Sequence, residues 1–220
     1  LKVYAAYASH MDWAVGRLIE TIERTCQREK TIVVFASDNG SIPSDPLHDT
    51  DKYPGRHLEM PRLGSNLPLR GQKAQLYEGG IRTPAVINWP FGIAPGKLSH
   101  PVQIVDWMPT FSRLANAEPG NDPLWDGKDI WPLLCGQEEH LDRNLFWNFR
   151  GREFGFRQEE WKLITDESMN PEHSQLFNIQ ADPYETSDVS SDNSEVVDKL
   201  IEEIAQERKL DGTSERPDSP

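Results

Sequence analysis

The stretch T-I-V-V-F-A-S-D-N-G at 31–40 runs apolar and β-branched residues straight into an acid, an amide and a glycine. In open α/β sheets ligands sit beyond the carboxyl ends of the strands, which is where Asp38 and Asn39 fall. Adjacent strand residues point to opposite faces. Both side chains therefore reach one ion only if the strand has ended and the backbone is turning, as Gly40 permits. A carboxylate and an amide oxygen are hard donors suited to Ca2+ or Mg2+. Two donors fall short of the roughly 6–8 oxygens that Ca2+ takes, so the others must come from elsewhere. Asp-Asn-Gly is also a common tight turn. A hairpin, however, needs an alternating strand after it, and here S-I-P-S-D-P-L-H-D follows.

A second constellation is N-L-P-L-R-G-Q-K-A-Q-L-Y-E-G-G-I-R-T-P at 66–84. Lys73 lies between Gly71 and the Gly79-Gly80 pair, where a compact ammonium can come close to an anion. The plain alternative is an ordinary surface lysine. Charge adds to the first reading. Over 52–82, six basic residues (Lys52, Arg56, Arg62, Arg70, Lys73, Arg82) face two acids, Glu59 and Glu78, in a chain of net charge −13. A local basic excess in an acidic protein suits an anionic small ligand or glycan, and equally suits scattered solvated surface charge. The overall sign argues against nucleic acid, the more so because residues 166–220 hold 15 acidic and 4 basic side chains.

These residues need elements to position them. Tyr4, Tyr7, Ala8, Met11, Val15, Leu18, Ile19 and Ile22 recur at three- and four-residue spacing, which predicts an amphipathic helix over roughly 3–26. Residues 31–36 read as a strand covered on both faces, and T-P-A-V-I-N-W-P (83–90) as a second. Residues 41–69 are rich in Pro, Gly, Asp and Ser and read as a long loop, a kind that is usually functional or disordered. V-Q-I-V-D-W-M-P-T-F-S-R-L-A-N (102–116) predicts a helix with Pro109 near its first turn or at a kink. After residue 140, N-L-F-W-N-F-R, E-F-G-F-R-Q, E-W-K-L-I-T and S-Q-L-F-N-I read as short antiparallel strands. Residues 194–210 form an amphipathic helix with Ser194 as N-cap and Glu195 in its first turn. The tail 211–220 reads as disordered. Two buried strands are few for a doubly wound sheet, so much of the sheet is expected from outside this chain. No apolar run approaches the ~20 residues of a membrane span. Cys26 and Cys135 make neither a disulfide framework nor a zinc site.

Taken in order, the motifs resemble those of the formylglycine-dependent sulfatases of the alkaline phosphatase superfamily, the N-acetylgalactosamine-4-sulfatase type in particular. The matching residues are Tyr7, Met11-Asp12 and Val15-Gly16; Ser37–Gly40; Leu69–Lys73 with Glu78–Gly80, Arg82 and Pro84; and Asp106–Thr110. The late pattern Arg157, Trp161-Lys162-Leu163, Leu176-Phe177, Asp182-Pro183 and Glu185 matches as well. The resemblance implies an α/β fold, part of an alkaline-phosphatase-like sandwich with a mainly parallel sheet, followed by a small antiparallel sheet packed with a C-terminal helix. Residues 1–139 would be the C-terminal part of the catalytic domain, 140–210 a small α+β subdomain and 211–220 a disordered tail.

By the same resemblance Asp38 and Asn39 would ligate Ca2+, with Mg2+ the alternative. Lys73 would be catalytic, holding the sulfate or the bridging oxygen. Arg70, Glu78 and Arg82 would brace the loop, and His10 would be structural. Arg56, His57 and Arg62 are candidates for contacting an anionic sugar. The family's nucleophile is a formylglycine made within C/S-x-P-x-R. Cys26 leads C-Q-R-E-K and Cys135 leads C-G-Q-E-E, so neither fits, and S-D-P-L-H (44–48) has His48 where Arg is needed. The formylglycine and the remaining Ca2+ ligands are thus expected in a missing N-terminal half, and this chain alone is expected to be inactive. The expected partners are a sulfated carbohydrate or aryl sulfate, and the N-terminal half or a second copy. The implied compartment is periplasmic, secreted or lysosome-like. Two rivals stand beside this reading. One is a phosphodiesterase or phosphonate hydrolase of the superfamily, less favoured because Asn39 stands where a histidine would. The other is a non-catalytic remnant or glycan-binding module.

Overall fold

The computed structural model describes residues 2–42, 64–117 and 125–210. Arg56, His57 and Arg62, most of the 41–69 loop and the tail after 210 lie outside the described residues. In chain order the elements are α1 (Lys2–Arg24), β1 (Val33–Ala36), α2 (Glu78–Ile81), β2 (Ala85–Asn88), α3 (Trp107–Leu114), α4 (Trp131–Leu134), β3 (Asn144–Phe149), β4 (Glu153–Gln158), β5 (Trp161–Asp166), β6 (Gln175–Asn178) and α5 (Ser194–Leu210). They form two compact units. One comprises 36–85 and 144–220, the other 2–35 and 86–143.

The first unit is built on the antiparallel sheet, in the order β3-β4-β5-β6. Its register places Phe146 opposite Phe156, Phe156 opposite Leu163, and Leu163 opposite Leu176. Side chains alternate between faces along a strand, so this row lies on one face. Phe154, Phe156, Leu163 and Leu176 pack there with Val197, Leu200 and Ile204 of α5. Those three helix residues recur at the spacing of one helical stripe, as the sequence predicts. The helix starts at Ser194, one residue earlier than a Ser194 cap requires. Asn193 takes the cap position, its carbonyl accepting the Val197 amide at 3.1 Å.

The other face of the sheet is covered as well. Ile164, Phe177 and Ile179 form a second cluster with Leu76, backed by Tyr77, Ile81, Trp147 and Phe149. The segment carrying Lys73 thus leads straight into residues that sit on the sheet. A strand with two buried faces reads as a near-continuous apolar run, and L-I in the middle of β5 does so. Lys162 beside them is the exception, because it is fully buried.

In the second unit α1 matches the expected helix within two residues at either end, and its His10 stacks on Trp13 with ring centroids 5.4 Å apart. β1 neighbours β2 in a two-stranded sheet. Among the described residues the expectation that β1 is covered on both faces is not met: Phe35 is 40% exposed and Val86 of β2 61%. Two isolated strands cannot bury both of their faces against each other. Trp89 of the chain leaving β2 donates its indole N–H to the Glu29 carbonyl at 2.8 Å, and Arg28 donates to the Asn88 side chain. Helix α3 begins after a 3-10 turn at 104–106, and Pro109 sits buried in its first turn, where a missing N–H costs nothing. Asp106 is fully buried ahead of it and accepts from the amides of Gln103 (2.6 Å) and Lys128 (3.0 Å) and from the Arg143 guanidinium.

Candidate functional site

β1 ends at Ala36, and Ser37–Gly40 turn immediately afterwards. Asp38 is exposed, and its Oδ1 accepts the Asn39 amide at 3.0 Å. The Ser37 hydroxyl donates to the Asn39 carbonyl at 3.1 Å. The turn is thus closed by its own polar side chains, in the way such residues compete with regular structure. Gly40 has a further reason to be glycine. A Cβ there would lie 1.7 Å from the Gly79 carbonyl oxygen, so the need is for close approach of two backbones rather than for an unusual φ. The Gly40 amide donates to the Gly80 carbonyl at 2.9 Å.

Lys73 is exposed, and its backbone amide donates to the Ser41 carbonyl at 3.3 Å. Ser41 is three residues beyond Asp38, so the lysine loop and the D-N-G turn are joined at one point. Asn66 holds that junction, and sequence reasoning passed over it. Its Oδ1 accepts from the Ser41 amide (2.7 Å) and hydroxyl (3.0 Å), while its Nδ2 donates to the carbonyls of Ser41 (2.9 Å) and Gly71 (3.0 Å). A lone asparagine ahead of Leu67-Pro68 carries no sequence signal for bonds that span 25 residues.

The bracing residues converge on one buried cluster. Lys162 Nζ donates to Glu78 Oε1 at 2.9 Å and to Glu185 Oε1 at 2.7 Å. The other oxygen of Glu185 accepts the Glu78 amide at 2.7 Å. Arg70 donates to the Glu185 carbonyl at 2.9 Å and lies over the Tyr77 ring, 4.1 Å from its centroid. Arg82 stands 3.8 Å from the second oxygen of Glu78. Burial pushes the Glu185 carboxyl up, with the Lys162 charge and hydrogen bond pulling against it. Burial likewise lowers Arg157, opposed by the charge of Glu78. Burying charges is costly unless each is paired and hydrogen-bonded, and this set meets that condition.

The Asp38 carboxylate and Asn39 amide supply the hard-oxygen chemistry that Ca2+ or Mg2+ accepts. Among the described residues no group of three His, Cys, Asp or Glu gathers at metal-binding spacing. Asp38 and Asn39 are two adjacent donors of that chemical type. Cys26 is an exposed free thiol and Cys135 a half-buried one. Among the described residues no helix is long and apolar enough to cross a membrane.

Residues 1–117 match the family described as Sulfatase, and residues 72–210 match the family described as N-sulphoglucosamine sulphohydrolase, C-terminal. Steryl-sulfatase of Rattus norvegicus is 33% identical over 147 residues, covering 66% of this chain and 24% of its own length. N-acetylgalactosamine-6-O-sulfatase of Bacteroides thetaiotaomicron is 26% identical over 207 residues, covering 87% of this chain and 39% of its own length. The solved structure of Ps i-CgsB in complex with k-i-k-neocarrahexaose matches with a TM-score of 0.69 at 31% identity, over 89% of this chain and 40% of that one. The chain spans less than half the length of each of these proteins. The structural match agrees with the α/β fold expected from the motifs, ending in the small antiparallel sheet and its helix.

Proposed function

The chain belongs to the sulfatase family, and from that premise we propose that it carries one side of the active site of a sulfuric ester hydrolase. Joined to an N-terminal half, it hydrolyses sulfate esters of a glycan or an aryl alcohol. The observation that carries this reading is the junction at Ser41, which ties the turn bearing Asp38 and Asn39 to the loop bearing Lys73. Asp38 and Asn39 offer two oxygens to Ca2+, or to Mg2+ in its place. When bound, the cation orients the sulfate and offsets its charge. Lys73 brings its ammonium to a sulfate oxygen or to the bridging oxygen, where charge grows as the ester breaks. Asn66 holds both in place. Arg56, His57 and Arg62 contact the anionic sugar. A sugar-bound relative such as Ps i-CgsB with neocarrahexaose supports a glycan substrate.

The formylglycine nucleophile and the remaining cation ligands come from the N-terminal half, because neither Cys26 nor Cys135 stands in a maturation motif. The same half covers the open apolar face of α1, where Tyr7 is 75% exposed. The compartment is periplasmic, secreted or lysosome-like. The test is sulfate release from an aryl sulfate in Ca2+, with and without the N-terminal half. The extended protein turns over, and Asp38→Ala or Lys73→Ala lowers its kcat by about 100-fold or more. The 220-residue chain alone gives none. Turnover by the chain alone, or full activity in either variant, overturns the reading.

A further inference from the structure

We propose that Lys162, far from the site in sequence, is a positioning residue for the turn that bears Asp38 and Asn39. Its ammonium is buried on β5 and clamps Glu78 and Glu185 at 2.9 and 2.7 Å. Glu78 is the first residue of α2, and its own amide is held by Glu185 at 2.7 Å. The next two residues are the ones that touch the turn. The Gly79 carbonyl lies against Gly40 with no room for a methyl group, and the Gly80 carbonyl accepts the Gly40 amide at 2.9 Å. Gly79 is in turn pinned by its amide to the Arg70 carbonyl at 2.6 Å, and Arg70 by its guanidinium to the Glu185 carbonyl. A short path therefore runs from the sheet, through one buried ion cluster and two glycines, to the residue after Asn39.

The charge arrangement argues for geometry over stability. A buried ion cluster is often replaceable by apolar side chains with no loss of stability, and the surrounding Leu76, Ile164, Phe177 and Trp147 already supply an apolar lining. What apolar packing cannot supply is direction. Glu185 fixes the Glu78 amide and Lys162 fixes its carboxylate, so both the backbone and the side chain of that residue are oriented. An apolar side chain in place of Lys162 would leave the Glu78 side chain undirected, and Gly79 and Gly80 follow directly after that residue. Lys162 touches no substrate and acts only through this path. Its consequence for catalysis rests on the assignment of Asp38 and Asn39 above.

The experiment reads the backbone and so stands apart from hydrolysis. In the 220-residue chain, amide exchange and amide chemical shifts are compared between the wild type and a triple variant, Lys162→Met with Glu78→Gln and Glu185→Gln, because removing the lysine alone would leave two buried carboxylates unpaired. The amides of Gly40, Gly79 and Gly80 exchange roughly tenfold faster or more and their shifts move, while those of Phe156 and Leu163 in the sheet keep their rates. Glu78→Gln, which keeps the side chain's shape, gives the same pattern more weakly. It carries the test alone if the triple variant does not fold. Unchanged exchange at the three glycines overturns the proposal. So does acceleration of glycine and sheet amides alike, the mark of a purely global role.

Discussion

Asp182 builds the turn that delivers Glu185 to the core. Its carboxylate gathers the amides of Thr186 and Ser187 at 2.7 and 2.9 Å and the Thr186 hydroxyl at 3.1 Å. Between them Glu185 adopts a left-handed φ of 56° and is fully buried.

Asp182→Ala is expected to destabilise the first unit by about 0.5–2 kcal/mol, the usual scale for a lost carboxylate cap, measured by urea unfolding. Burial raises the Asp182 carboxyl, but the hydrogen bonds from Ser187 and Thr186 outweigh it and hold it below the ordinary 3.8. A depressed acid contributes stability above its unfolded value and loses it as pH falls through the folded one. The urea midpoint should therefore fall below about pH 4, and less steeply in Asp182→Asn. A midpoint that ignores pH there removes Asp182 from the argument.

Asp106→Ala should be among the most damaging single changes in the second unit. It strands the buried Arg143 guanidinium and two loop amides, at a cost of about 3–5 kcal/mol. Thermal unfolding of this variant beside Arg113→Ala, whose ion pair with Asp129 is half exposed, gives the contrast. Equal losses would show that burial of the Asp106 pair is irrelevant.

The chain by itself should self-associate. Tyr4, Tyr7, Met11 and Leu18 leave more than half of each side chain open along α1, and monomers rarely expose such contiguous apolar area. Sedimentation over a range of concentrations should show a shift toward larger species, and Tyr7→Glu with Met11→Lys should reduce it. A sharp monomer at every concentration would count against a covering partner.

In the protein extended by its N-terminal half, Arg56→Ala or His57→Ala should raise KM for a sulfated oligosaccharide much more than for a small aryl sulfate. The comparison of the two substrates is the measurement. An equal effect on both would take the basic loop out of substrate choice.

Local periodicity and turn chemistry were enough to read α1, the strand leading to Asp38, the four C-terminal strands and α5, because each is set by residues within a few positions of one another. Residue types alone also marked Asp38-Asn39 as a candidate oxygen donor pair and Lys73 as a candidate anion contact. Only the tertiary structure joined them, through the Asn66 side chain and the carbonyl of Ser41. Only the fold could show that Glu78, Lys162 and Glu185 are one object. They lie 84 and 23 residues apart, on a short helix, a strand and a turn. No period links them, and a buried lysine looks in sequence like any exposed one. Their meeting depends on where the second face of the sheet is covered, and that is decided by packing over the whole unit rather than by any local run of residues.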